Sequence, residues 1–239
     1  MSSTGRSEPL AAAGDLPVPI EVRPMRNARR MRLRFDEARG VLKLTCPAGM
    51  SRRRALAWAS DQRDWIDAQL RRAQQPEPFI PGALIPLCGE DVQLLWSAAA
   101  PRTPRRVGTT LLCGGPESAF ERRVATYLKR LAVETMAADV ADFAARADVR
   151  PSSVSVGDAA SRWGSCSSER RIRLSWRLIM APVAVRRFVV AHEVAHLVHL
   201  DHSADFKRLE ASLFGTGVAA AKAELRRVGP RLRLLGRRR

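Results

Sequence analysis

The sequence predicts an α+β protein, with a small N-terminal module rich in β-strands followed by a helical domain that carries a short antiparallel sheet. Three observations lead there. Apolar and polar residues alternate over 31–46, 84–96 and 109–113 with the period of two that marks half-buried strands. From 117 to 228 the dominant period is helical, broken between 154 and 176 by a strand–turn–strand pattern. All four histidines fall within residues 192–202, inside the helical part.

At 239 residues the chain can bury a sizeable core, as one large domain or two small ones. The organisation read from it is a disordered leader over 1–19, the β-rich module over 20–115, the helical domain over 116–225 and a basic arginine-rich tail over 226–239. Met1 to Pro19 lacks the apolar core of a signal peptide, and no run approaches the roughly 20 apolar residues of a membrane span. A cytoplasmic location and no membrane partner are expected. Cys46, Cys88, Cys113 and Cys166 are widely spaced without a C-x-x-C pair. That favours reduced, buried thiols over disulfides or a cysteine-rich structural metal site.

The formal net charge is +17, carried almost wholly by arginine, since only Lys43, Lys129, Lys207 and Lys222 are lysine. Two readings stand side by side: GC-rich coding, and a surface that attracts polyanions such as nucleic acid. The most concentrated basic stretch is Leu225 to Arg239, with seven arginines and no acid. Arginines of this kind neutralise a phosphate backbone without choosing a sequence.

In chain order, Met31, Leu33 and Phe35 alternate with arginines, Asp36 to Gly40 supplies a turn, and Leu42, Leu44 and Cys46 alternate after it, so 20–46 reads as a hairpin of two strands. Pro47 and Gly49 end it. Ser51 caps a helix to about Ala73, whose apolar face comprises Leu56, Ala59, Trp65, Ile66 and Leu70. A proline-rich joint follows over 76–82. Short strands are expected at Leu84–Leu87, Val92–Trp96 and Thr109–Cys113, with a surface loop between Pro101 and Arg106. Pro116 suits the first turn of a long helix from Glu117 to Arg146, with Phe120, Val124, Tyr127, Leu128 and Leu131 facing inward. Strands at Val154–Val156 and Ile172–Trp176 flank the polar stretch Ser161 to Ser168. Pro182 opens the helix that carries the histidines, Ser203 to Leu213 forms the next, ending at Gly215, and Val218 to about Val228 the last.

Within that run, His192-Glu193-x-x-His196 places two imidazoles four residues apart on one helix face, where they can close on a single ion. Glu193 beside them can take a proton from water at the metal. A hydrolytic zinc site needs a third protein ligand and an open position. His199 is seven residues from His192, a rise of about 10.5 Å on a continuing helix. Two ligands of one ion stand only about 4 Å apart. His202 fits better if the chain turns at Leu200-Asp201 and Ser203 caps the next helix. The H-E-x-x-H-x-x-x-x-x-H spacing is that of metzincins, although His199 stands where those have glycine and no Met-turn is evident.

At Arg162-Trp163-Gly164-Ser165-Cys166, His192-Glu193-x-x-His196 and Asp201-His202-Ser203, in that order and spacing, the sequence resembles the YgjP-like metallopeptidase family, which is related to the SprT-like and WLM groups. The likeness covers roughly Ile20 to Phe214. It implies a zincin-like domain with an N-terminal β extension, Zn²⁺ held by His192, His196 and His202, and Glu193 as general base. The chain departs from the pattern after His202-Ser203, where Phe206-Lys207 stands in place of the family's Phe-Trp.

Three functions are compatible with these residues. The first is hydrolysis of a protein or peptide at zinc. Here an extended substrate would pair along the strand at Arg162–Ser165, and Arg162 or His199 would stabilise the oxyanion. That makes Arg162, Trp163, Gly164, Ser165 and His199 candidate substrate contacts, against plainer roles in an ion pair (Arg162) or core packing (Trp163). Cys166 reads as a small buried residue, because a fourth protein ligand would close the site. The second is zinc-dependent hydrolysis of a phosphoanhydride such as a nucleoside triphosphate, attracted by the arginines, although no glycine-rich phosphate loop accompanies them. The third is a non-enzymatic, basic nucleic-acid-binding protein with a structural zinc, against which Glu193 beside three ligands counts. The first and third combine in a peptidase brought to protein on nucleic acid by its basic surface and tail.

Overall fold

In a computed structural model of the chain, residues 16–36, 39–72, 76–159 and 162–237 are described, and the fold is α+β. Of the expected leader only 16–19 lie among them. The chain divides into two compact units, 1–75 and 76–239.

The first unit contains β1 (Ile20–Met25), β2 (Arg32–Asp36), β3 (Val41–Pro47), α1 (Arg52–Ser60) and α2 (Arg63–Arg72). β2 and β3 form the antiparallel hairpin, with Leu33 opposite Leu44 and Phe35 opposite Leu42. A third strand, not anticipated, lies on the other side of β3: β1 runs parallel to it, Ile20 beside Leu42. Its alternation is short, Ile20 and Val22 before Pro24, and its partner is some twenty residues away, which local periodicity does not reveal. Ile20, Leu42, Leu44 and Cys46 close a small core with Ala55, Ala59 and Ile66 of the helices. Ser51 caps α1, its Oγ accepting from the Arg54 N–H at 3.3 Å. The single helix expected to Ala73 is two, because the Ser60 hydroxyl donates to the Leu56 carbonyl at 3.2 Å and Asp61 follows. Short polar side chains of this kind compete with the helix backbone and bend or end it.

The second unit holds β4 (Leu84–Leu87), β5 (Glu90–Trp96), β6 (Arg105–Val107), β7 (Thr110–Cys113), α3 (Phe120–Arg146), β8 (Ser153–Gly157), β9 (Gly164–Cys166), β10 (Arg171–Ser175), α4 (Val183–Ala195), α5 (Ala204–Phe214) and α6 (Val218–Leu232). β4 to β7 make a sheet of order β4-β5-β7-β6, in which β6 occupies the end of the expected surface loop. Ile85, Leu87, Val92, Leu94, Leu111 and Cys113 of this sheet share one core with α3 and α4. The unit boundary therefore falls inside the stretch 20–115 that the sequence groups as one module. Similar strand patterns on either side of the proline-rich joint hide which core each strand serves.

The short sheet before the histidines has the order β8-β10-β9, with β10 antiparallel to β9 and parallel to β8. It is mixed, not purely antiparallel, because the chain crosses from β8 to the far edge before the β9–β10 hairpin returns to the centre. The same order recurs in β1-β3-β2 and in β5-β7-β6. β9 is thereby left as an edge strand, beside α4.

Packing then fixes α4. Phe120, Val124, Leu128, Ala132, Met136, Val140 and Phe143 form the buried stripe of α3 at three- and four-residue steps. Asp139 is buried in the same helix and accepts from Arg186 Nε and from an Arg187 nitrogen, each at 2.8 Å. Breaking such a buried pair strands a charge, so α4 is held to α3 by electrostatics as well as by apolar area. Among the described residues no helix is long and apolar enough to cross a membrane.

The tail corrects another expectation. α6 runs through Pro230 to Leu232, and Leu232, Leu234 and Leu235 are buried. Arg231 pairs with Glu77 at 2.9 Å, and the Gly236 N–H donates to the Glu77 carbonyl at 2.7 Å. Arg177, itself buried, donates to the carbonyls of Leu232 and Leu235 and to Asp158. Residues 226–237, expected as a basic arginine-rich tail, thus pack into the fold through their interleaved leucines. Arg238 and Arg239 lie outside the described residues.

Leu235→Ala is expected to lower stability by about 2–5 kcal/mol, read as a shift in the urea unfolding midpoint. Burial alone would raise the Asp158 carboxyl, but the Arg177 hydrogen bond and charge, with Arg237 nearby, more than offset it and hold it below the usual carboxylate range. A depressed carboxyl contributes stability above its unfolded value and loses it as pH falls through the folded one. Asp158→Asn should therefore lower stability at neutral pH and flatten the acid limb of a stability–pH curve below about pH 4.

Candidate metal centre

α4 delivers His192 from its last turn and His196 as its C-cap, and then stops. The Leu197 N–H donates to Val194 at 2.9 Å and the Val198 N–H to Ala195 at 3.1 Å, three-residue bonds that tighten the chain after α4. The turn therefore begins earlier than the expected Leu200-Asp201. Asp201 Oδ1 accepts from the Ser203 N–H at 3.1 Å, and Ser203 Oγ caps α5 by accepting from the Phe206 N–H at 3.3 Å. Between these two turns His202 is carried back towards the helix.

The outcome is a cluster of three imidazoles, His192, His196 and His202, whose candidate ligand nitrogens lie within 4.8 Å of one another. His192 Nε2 and His202 Nε2 are 3.3 Å apart. Nitrogens bound tetrahedrally to one zinc at about 2.0–2.1 Å stand about 3.3–3.4 Å from each other. Phe206 lies 4.5 to 5.0 Å from all three rings, centroid to centroid, and forms an apolar floor. The His199 side chain does not belong to the cluster.

Hydrogen bonds fix the ring nitrogens. His192 Nδ1 lies 2.7 Å from Glu210 Oε1, and Glu210 Oε2 accepts from Lys222 Nζ at 2.9 Å. His196 Nδ1 lies 3.0 Å from the carbonyl of His199. With acceptors at both Nδ1 atoms, the protons sit there and each Nε2 keeps its lone pair. Burial lowers the proton affinity of both rings, outweighing Glu210 at His192 and the His199 carbonyl at His196, which favours the neutral, electron-donating form. Burial would raise Glu210, but His192 and Lys222 more than offset it, so it stays ionised below its ordinary range. A neutral imidazole oriented by a carboxylate is the donor type zinc takes, and the residues present fit that ion.

Glu193, on the same turn, is 5% exposed and lies against the backbone of Gly164 on β9. A Cβ at position 164 would stand 2.4 Å from Glu193 Oε1 and 2.6 Å from its Cγ, so any other residue there displaces the carboxyl. Burial pushes the Glu193 carboxyl up to about 7, with the charge of Arg162 pulling the other way. Arg162 is exposed at a cleft of about 340 Å³ that Trp163, Gly164, Ser165 and Arg173 also line. Trp163 is half-buried, with the Arg233 guanidinium 4.2 Å from its ring centre, and its carbonyl accepts from the Ser175 N–H at 2.8 Å. Ser165 pairs with Arg173 across the hairpin. Cys166 is a half-buried free thiol whose pKa is pushed up by burial and by Glu193, and it is not in the cluster.

Of the residues the sequence singles out, the fold brings His192, His196, His202, Glu193 and Gly164 together, places Arg162, Trp163 and Ser165 along the adjoining cleft, and uses the backbone of His199. Sequence reasoning misses Glu210 and Lys222. One signal was available: Phe206, Glu210 and Leu213 recur at i, i+4 and i+7, which sets a carboxylate in the buried stripe of α5.

Searches of curated proteins and of solved structures returned no match. A family model described as YgjP-like, metallopeptidase domain, matches residues 29–228. That span takes in the edge strand, the three-imidazole cluster and the α5–α6 support behind it, and covers most of the chain: the protein belongs to the YgjP-like metallopeptidase family.

Proposed function

We propose that the chain is a zinc-dependent metallopeptidase for protein or peptide substrates, with His192, His196 and His202 as ligands and Glu193 as general base. One observation carries the reading: three imidazoles converge beside a buried carboxyl that is pressed against the edge of a strand. Zinc, when bound, supplies Lewis acidity, polarising the scissile carbonyl and lowering the pKa of water.

The chain's own residues supply the rest. Glu193, near pH 7 in proton affinity, accepts the proton of the attacking water and returns it to the leaving amine. Gly164 lets β9 come close enough to hold that carboxyl in place. The free edge of β9 offers backbone groups to an extended peptide, and the cleft at Trp163 and Ser165 receives a side chain. Arg162, exposed at the mouth, and His199 are the candidates for the developing oxyanion.

Purified protein should hydrolyse casein-like peptides, and Glu193→Gln should reduce kcat by about 10²–10⁴-fold with zinc content unchanged. Equal activity in that variant would remove the general-base assignment. Nucleoside triphosphates assayed in parallel should remain intact; Glu193-dependent turnover of these alone would transfer the site to phosphoanhydride chemistry. Gly164→Ala should lower kcat while the protein stays folded and metal-loaded, because the added methyl displaces the Glu193 carboxyl from its seat.

A further inference from the structure

The arginine excess has to face something, and in the C-terminal segment several of the described arginines are already engaged. Arg227 is paired with Glu224, Arg231 with Glu77, and Arg237 bonds the Arg233 carbonyl. A different place lines a cleft with guanidinium groups and no carboxylate. The loop Arg102-Thr103-Pro104 and the first half of α3 enclose a cleft of about 360 Å³, lined by Arg102, Thr103, Arg122, Arg123, Tyr127 and Arg130 together with Pro104 and Thr126. No acid is among these eight residues.

The walls are fixed by the fold. Arg123 donates to the carbonyls of Gly114 at 2.9 Å and Pro116 at 3.2 Å. Gly115 has φ +79°, and a Cβ there would meet Arg123 at 2.8 Å and Arg102 Cγ at 3.1 Å, so the two arginines converge on one glycine. Its carbonyl is held by Trp96 Nε1 at 2.9 Å. Arg102 and Arg122 are exposed and form no ion pair among the described residues, while Arg130 has only the exposed Glu134, at 3.8 Å.

Arg122, Thr126 and Arg130 follow one another at four-residue steps on one face of α3, a rise of about 12 Å from first to last. Guanidinium forks bind phosphate oxygens bidentately, and a single phosphate group engages one or two of them. Arg122 and Arg130 at the two ends of that length, with Arg102 on the facing loop, suit successive phosphates, while Arg123 is held by backbone carbonyls. Tyr127, the only tyrosine of the chain, sits half-buried in the same cleft with the Arg130 guanidinium 5.9 Å from its ring centre. An aromatic ring and arginines along a basic groove are the combination on which unpaired bases stack while the backbone is neutralised.

We infer that the cleft between the 102–104 loop and α3 binds the phosphate backbone of single-stranded nucleic acid. None of its residues belongs to the histidine site, so it stands or falls apart from the hydrolytic reading. It also moves the expected nucleic-acid contact from the tail to α3.

The test is fluorescence anisotropy of a labelled oligothymidylate with the full chain, titrated across salt. Arg122→Ala/Arg130→Ala is compared with Arg226→Ala/Arg227→Ala, a surface pair that removes the same charge. The cleft pair should weaken binding by at least about tenfold and reduce the salt slope by about 1.4, two phosphates at 0.7 each. The control pair should change affinity by less than about twofold, and Arg102→Ser should weaken binding in the same direction as the cleft pair. Circular dichroism and zinc content should be unaltered in every variant. Equal loss in both pairs, no binding by the unaltered chain, or displacement of the oligonucleotide by tripolyphosphate at the same affinity would overturn the inference, the last by making the cleft a site for small polyphosphates.

Discussion

A buried carboxyl held against a glycine backbone is the constraint on which the site depends. Glu193 can sit this close to β9 because position 164 is glycine, where any side chain would overlap the carboxyl. That contact makes two distant sequence motifs, one on β9 and one on α4, into a single object. Burial at this contact raises the proton affinity of Glu193 towards neutrality, which is what the proposed general-base role needs.

Such a contact requires both elements to be rigid, and the surrounding charges provide this. Asp139 ties α4 to α3 through Arg186 and Arg187. Glu210 ties the first histidine to α5 and, through Lys222, to α6. The C-terminal segment contributes from the other side, as Gly229 of α6 stands so near Trp163 that a Cβ would lie 3.1 Å from the indole. A few arginines of this basic chain are therefore structural: Arg186 and Arg187 on Asp139, Arg177 on Asp158 and Arg231 on Glu77. The α3 cleft differs because no carboxylate is among the residues that line it, and Arg102 and Arg122 form no ion pair among the described residues.

Legibility in the sequence followed the range of the interaction. The α+β class, the long α3 helix and the hairpin of β2 and β3 rest on periodicities within one or two elements, and those were readable. The histidine spacing was readable too, since rise per residue alone disfavours His199 beside His192 on a continuing helix. What escaped was non-local. β1 pairs with the second strand of the hairpin and not with the β2 that follows it, β8 pairs with β10 and not with the next strand β9, and the β4–β7 sheet serves the core of α3, none of which a period of two records. Glu210 was hidden because a carboxylate in an apolar stripe reads as an interruption until a histidine is placed opposite it. Leu232, Leu234 and Leu235 were outvoted by the arginines around them, although three leucines in four residues are the better guide to burial.

The central claim is that one ion is held by three imidazoles, with Glu193 beside the ion and not on it. Metal analysis of the purified full-length chain tests this most directly, comparing the unaltered protein with His202→Ala and His199→Ala. The account predicts about one zinc per chain in the unaltered protein and in His199→Ala, and loss of tight zinc in His202→Ala. Retention of zinc without the ring at 202, or its loss without the ring at 199, would contradict it.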